Sequence, residues 1–191
     1  NENKIIFIDN IENLKKILKE NFEKSPYIGI DTEWRPISYP INLHDGILPN
    51  LIQLSNGLNS ILLDYPKLEA TGKFFEIFSE FFLEKKFIGF SFQHDLKMFK
   101  DKKIVEFFTK NEYIDLDKIF VKIYKCNSIS LAKLTKNLFG KNLSKNEQMS
   151  NWTLRPLRNS QMEYAALDAF ILIKIFEKIY IKDNEYVLKE N

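Results

Sequence analysis

Five side chains in this sequence have the types and spacing to do chemistry together. Asp31 and Glu33 lie in "YIGIDTEWRP" (27–36), Asp95 in "FQHDLKMF" (92–99), and Tyr164 and Asp168 in "YAALDAF" (164–170). Burying a carboxylate is costly unless a partner offsets its charge. Each position has a plain reading when taken alone. Asp31 and Glu33 could mark a solvated strand end, Asp95 could favour a helix N-terminus, and Tyr164 could hydrogen-bond Asp168 at a surface. Taken together, they are hard oxygen ligands of the kind that suit Mg²⁺ or Mn²⁺. Four acids in one small site repel one another unless cations offset them. Two such cations about 4 Å apart are the usual solution for phosphodiester cleavage. The sequence has no His/Cys cluster for zinc, no G-x-x-x-x-G-K-[ST] phosphate loop and no serine nucleophile elbow.

The elements that must position these groups follow from pattern. "YIGIDTEW" reads as a strand, and residues two apart on a strand share a face, so Asp31 and Glu33 point the same way. Asp95 follows an apolar strand at 86–92 and opens a helix. Tyr164 and Asp168, four apart, share one face of a long final helix over "NSQMEYAALDAFILIKIFEKIY", capped by Asn159 or Ser160. Elsewhere, "KIIFIDN" reads as a strand and "NIENLKKILKENF" as a helix capped by Asn10. "LIQLSN" and "SILLDY" pair as an antiparallel hairpin, and 72–85 forms a helix. "EYIDLDKIF" gives a short strand and then a helix. "SISLAKLTKNLFG" is a helix between a Ser cap and Gly140. The segment 35–50, with its prolines, reads as a loop. Strands alternating with helices around an early hairpin predict an α/β domain on a mixed central sheet flanked by helices.

The bulk numbers bound the class. The 191 residues suit a single domain, read here as 1–191 and as a fragment of a longer protein. Apolar residues at 45% and charged residues at 28% are globular proportions. The net charge of +2 neither requires nor excludes a polyanionic partner. A single cysteine, Cys126, excludes an internal disulfide and fits a reducing compartment, hence an intracellular location with nucleus, cytoplasm and organelle unresolved. No run approaches the roughly 20 apolar residues of a membrane span, so no membrane partner is expected.

The ordered set "DTE", Asp95 and "YAALD" resembles the DEDD superfamily of 3′–5′ exonucleases, which has a ribonuclease H-like fold. Glu163 stands where one branch carries a His, and Tyr164 four residues before Asp168 resembles the tyrosine (DEDDy) branch, which includes ribonuclease D and the Werner-type exonuclease. The stretch "QMSNWTLRPLRNSQMEYAALDA" (148–169) and "DTEWRP" are similar to the Nibbler-like exonucleases. The resemblance implies two divalent cations, Mg²⁺ or Mn²⁺, with Asp31 bridging both, Glu33 and Asp168 on the ion that activates water, and Asp95 on the second. It implies that Tyr164 orients the water, that nucleoside 5′-monophosphates are released, and that the partner is the 3′ end of a single-stranded nucleic acid, with RNA favoured over DNA. The same chemistry on DNA, or a catalytically silent nucleic-acid-binding scaffold, stays open.

Secondary candidates flank these motifs. Trp34 could stack on the terminal base or belong to the core. Arg155 could hold a phosphate or brace the last helix through an ion pair, the second reading being favoured for Arg158. Trp152 reads as packing, Lys97 as a solvated lysine, and neither His44 nor His94 as a site residue.

Overall fold

The computed structural model describes residues 3–36, 49–111 and 113–182. In chain order the elements are β1 (Lys4–Ile8), α1 (Ile11–Phe22), β2 (Tyr27–Trp34), β3 (Pro49–Ser55), β4 (Asn59–Asp64), α2 (Tyr65–Glu69), α3 (Phe74–Phe82), β5 (Lys86–Gly89), α4 (Gln93–Leu96), α5 (Lys102–Asn111), β6 (Ile114–Asp115), α6 (Leu116–Tyr124), α7 (Leu131–Phe139) and α8 (Asn159–Lys182). Most of the expected loop at 35–50, His44 included, lies outside the described residues.

Local chemistry explains several of the boundaries. Asn10 Oδ1 accepts from the Glu12 N–H at 2.8 Å and caps α1, whose Leu14, Leu18 and Phe22 recur every fourth residue and are buried. Ser130 Oγ accepts from the Lys133 N–H, and Gly140 at φ 68° ends α7 in the left-handed region. For α8 the expected caps are replaced. The helix begins at Asn159, and Gln161 Oε1 reaches back to accept from the Arg158 N–H at 3.0 Å. Ser160 instead donates its hydroxyl to Glu147.

The six strands run in the order β1-β4-β3-β2-β5-β6. β3 is antiparallel to both neighbours, and the other pairings are parallel. The expected hairpin is therefore the β3–β4 pair within a mixed sheet. One face carries α1, α3 and α5 over a core rich in phenylalanine, with Phe78 in ring contact with Phe74, Phe82, Phe87, Phe107 and Phe108. The other face is crossed by α8, whose Ala165, Ala166 and Ala169 are fully buried. Small residues let the helix backbone come close. Ser60 Oγ donates to the Ala166 carbonyl at 3.2 Å, and a Cβ built on Gly29 would lie 2.3 Å from the Ala169 carbonyl oxygen.

Two expected elements differ. The strand expected over 86–92 ends at Gly89, where the chain doubles back so tightly that a Cβ at Gly89 would meet Phe92 Cβ at 2.6 Å. The helix expected to open at Gln93 is a single turn, and a separate helix, α5, follows from Lys102.

The contact at Gly29 should be the tightest constraint on α8. Gly29→Ala is expected to destabilise the protein by about 2–3 kcal/mol or more, because the clashing atom is backbone and cannot rotate away. Gly72→Ala, with open space around its Cβ and only a φ of +68° against it, should cost about 1 kcal/mol. Urea midpoints of the two variants give the comparison; equal midpoints would show that α8 does not press on the sheet at Gly29.

Candidate active site

Parallel pairing aligns the carboxyl ends of β2 and β5, the edge of an α/β sheet at which sites form. Asp31 and Glu33 alternate with Ile30 and Thr32 along β2, and lie on the Gly29 face, towards α8. Asp95 reaches the same place from the turn after β5. Ser91, at φ 54°, donates its N–H to Asp115 Oδ1 and its hydroxyl to Asp117 Oδ2, both at 2.8 Å, and so fixes that turn. Thr32 Oγ1 then donates to Asp95 Oδ1 at 2.6 Å, tying the turn to β2. Tyr164 and Asp168 descend from α8. The four acids and the phenol line one open pocket of about 580 Å³.

The pocket is electrostatically unfavourable as it stands. Glu33, Asp95 and Asp168 are buried, and Asp31 is half-buried. Among the described residues none of the four has an ion-pair partner. Burial, then the charges of Asp95 and Asp168, hold the Asp31 carboxyl well above its usual range. Burial, then the charges of Asp31, Asp168 and Asp95, do the same to Glu33. Burial pushes Asp95 up to about 6 against the Thr32 hydrogen bond. It pushes Asp168 up to about 7 against a hydrogen bond from Tyr164. Burial and the Asp168 charge raise the Tyr164 phenol, so it stays protonated at neutral pH.

This donor set fits divalent cations. All four groups are carboxylates, the hard-oxygen chemistry that Mg²⁺ and Mn²⁺ select, and among the described residues no ion pair offsets them. Among the described residues no three acidic, His or Cys groups form a compact ion cage. The four acids do line one pocket.

The remaining candidates sort by contact. Trp34 lines the pocket, half-buried. The register between β2 and β3 shifts at Glu33/Trp34, and such a bulge re-aims a side chain that strict alternation would send to the opposite face. Arg155 makes its contacts within the fold, of the kind expected of a brace. Its Nε donates to Asp64 Oδ2 at 2.7 Å, its Nη1 to the Trp152 and Leu154 carbonyls, and its Nη2 to the Asn50 carbonyl, and it does not line the pocket. Arg158 pairs with Glu147, Trp152 is fully buried, and His94 and Lys97 are exposed outside the lining. Sequence reasoning missed Thr32, Ser91 and Asp115, which hold Asp95. A threonine between two acids was the one available signal. It also missed Ser130, Lys145 and Met149, which line the pocket from α7 and the segment beyond it.

A 3′–5′ exonuclease family model matches residues 5–182. Exonuclease mut-7 of Caenorhabditis elegans is 32% identical over 175 residues, which is 80% of this chain and 19% of the relative, so the chain spans about a fifth of that protein. Among solved structures, the Nibbler EXO domain of Aedes aegypti superposes with a TM-score of 0.78 at 23% identity, covering 95% of this chain and 89% of that one. Trypanosoma brucei RNase D in complex with RNA U12 gives 0.73 at 19% identity, covering 98% and 65%. The fold is the ribonuclease H-like one of these exonuclease domains.

The raised carboxyls carry a stability prediction. Asp95 and Asp168 have folded pKa values of about 6 and 7, above the ordinary Asp value of about 3.9, so folding disfavours their ionised forms. Their stabilising contribution is complete below about pH 4 and is lost as pH rises through about 7. The lowered carboxyls, Asp9 and Glu147, act in the opposite sense, but only below their ordinary range. With a chelator present, the melting temperature should therefore fall from pH 5 to 8, and Asp168→Asn should flatten the fall and raise stability at pH 8. A flat wild-type profile over that window would contradict the burial of these charges.

Proposed function

The chain belongs to the 3′–5′ exonuclease family, whose members depend on divalent cations, and on that premise we propose that its pocket trims single-stranded RNA from the 3′ end, releasing nucleoside 5′-monophosphates. The observation that carries this reading is the convergence of half-buried Asp31 with buried Glu33, Asp95 and Asp168, without an ion-pair partner among the described residues, beside Tyr164 in an open pocket. Two cations, Mg²⁺ or Mn²⁺, held by those four carboxylates would supply water activation and charge neutralisation at the scissile phosphate.

The chain's own residues account for the rest. Tyr164 keeps its proton at neutral pH, so it orients water by hydrogen bonding and does not act as a base. The Thr32 hydrogen bond holds Asp95 in place. Trp34 offers a ring against which a terminal base of any identity can stack. Lys145, the only cationic side chain among the described lining residues, can meet the backbone phosphate. Water attacks the terminal phosphorus, the bond to the preceding 3′-oxygen breaks, and the shortened strand keeps a 3′-hydroxyl. RNA is favoured as substrate because the structural neighbours include an RNase D bound to RNA.

The test is digestion of 5′-labelled RNA and DNA of one sequence, with Mn²⁺, Mg²⁺ or chelator. RNA should shorten stepwise from its 3′ end, faster than DNA, and the chelator should stop it. Asp31→Asn and Asp168→Asn should each lower the rate by about 10³-fold or more while the fold is retained. Tyr164→Phe should lower kcat by about 10–100-fold with KM little changed. Activity should rise from acid toward mildly alkaline pH as the carboxyls ionise. Wild-type turnover by Asp168→Asn would refute the site; faster cleavage of DNA would reassign the substrate.

A further inference from the structure

We propose that Gln53 is a positioning residue for Asp31, its side-chain amide orienting the Asp31 carboxylate for cation binding. The inference rests on the reading above, in which Asp31 is a ligand.

Gln53 is fully buried, and among the described residues neither atom of its amide has a hydrogen-bond partner. That is exceptional on this part of the sheet. Ser55 and Ser60, buried polar side chains on the same face of the β3–β4 pair, are both satisfied by backbone carbonyls. Leu51 and Leu62, which flank Gln53 along and across the strands, pack into an apolar layer with Trp152, Ala165 and Ala166. A leucine or methionine at position 53 would suit that layer without stranding an amide. A buried amide held there without a protein partner points to one that it meets when the site is loaded.

Register identifies that partner. Gln53 is paired directly with Asp31 across the β2–β3 ladder, so the two side chains leave the same face. Directly opposed Cβ atoms stand about 5 Å apart, within reach of a glutamine amide. An ionised carboxylate only accepts hydrogen bonds, and Asp31 receives one from backbone at Thr32, which leaves capacity for a second donor. An ionised carboxylate takes no hydrogen bond from an amide oxygen, so the amide turns its Nε2–H₂ toward Asp31. An outer partner of this kind typically changes metal affinity by about 10–100-fold.

The experiment measures Mn²⁺ binding by electron paramagnetic resonance, together with thermal stability in chelator and RNA digestion kinetics. Gln53→Met keeps the shape and removes the amide, and Gln53→Leu is a second version of the same change. Each should weaken Mn²⁺ binding about tenfold or more, lower kcat at fixed Mn²⁺, leave KM for RNA within about twofold, and leave melting in chelator unchanged or raised. Ser60→Ala, on the same face under α8 but away from Asp31, should leave Mn²⁺ affinity unchanged. In the wild type, the Gln53 Nε2–H₂ resonances should move on titration with Mg²⁺, a readout that needs no variant. Weak Mn²⁺ binding by Asp31→Asn beside wild-type affinity in folded Gln53→Met and Gln53→Leu would overturn the inference and leave the site standing, as would Gln53 resonances unmoved by Mg²⁺. Wild-type Mn²⁺ affinity in Asp31→Asn would overturn the site itself, and the inference with it.

Discussion

Four carboxyl groups held at one edge of a sheet, mostly out of water and without an ion-pair partner among the described residues, form the constraint around which this molecule is organised. Left to itself such a cluster lowers its energy by protonation: burial pushes Asp95 and Asp168 up to about 6 and 7, and burial with the neighbouring charges holds Asp31 and Glu33 well above their usual range. The fold therefore spends stability at this point, and covers the cost with packing elsewhere. The phenylalanine-rich core on the opposite face lies away from the site and needs no polar partner. Divalent cations are the complement that turns the unfavourable arrangement into a favourable one.

Backbone proximity brings the acids together. Parallel β2 and β5 end at the same edge, so residues far apart in sequence become neighbours. The missing Cβ at Gly29 lets the Ala169 carbonyl sit against the sheet, and that contact sets the depth to which Asp168, one residue earlier, enters the pocket. Hydrogen bonds behind the carboxyls stiffen the arrangement. Thr32 grips Asp95, and Ser91 anchors its turn through Asp115 and Asp117. Arg155, bound to Asp64 and three backbone carbonyls, pins the connection leading into α8. The site is thus supported from behind and open in front, where Trp34 and the residues from α7 onward leave room for a strand end.

Much of this was legible in the residues themselves. Asp31, Glu33, Asp95, Tyr164 and Asp168 were recognisable because acids placed in apolar runs need a reason, and they do share one pocket. The caps at Asn10, Ser130 and Gly140 were legible because a cap is a local interaction between residues two to four apart. The helix over 102–111 carries its period in the sequence, through buried Ile104, Phe107 and Phe108. The end of β5 at Gly89 was not readable, because "KFIGFSF" stays apolar through the turn and only the approach of Phe92 reveals the reversal.

Arg155 and Gln53 show where local reading stops. An arginine beside a motif can serve a phosphate or a carboxylate equally well, and only the fold brings Asp64, 91 residues away in sequence, to its Nε. A glutamine in "LIQLSN" looks like an ordinary strand residue until register places it opposite Asp31. By itself the sequence determined the chemical inventory of the site, the kinds of element that carry it and their order, because side-chain chemistry and short-range periodicity are local properties. Tertiary structure alone decided which partners meet, how deeply the acids are buried, and which polar groups stay unsatisfied, because burial and pairing are set by segments that only the folded sheet brings together.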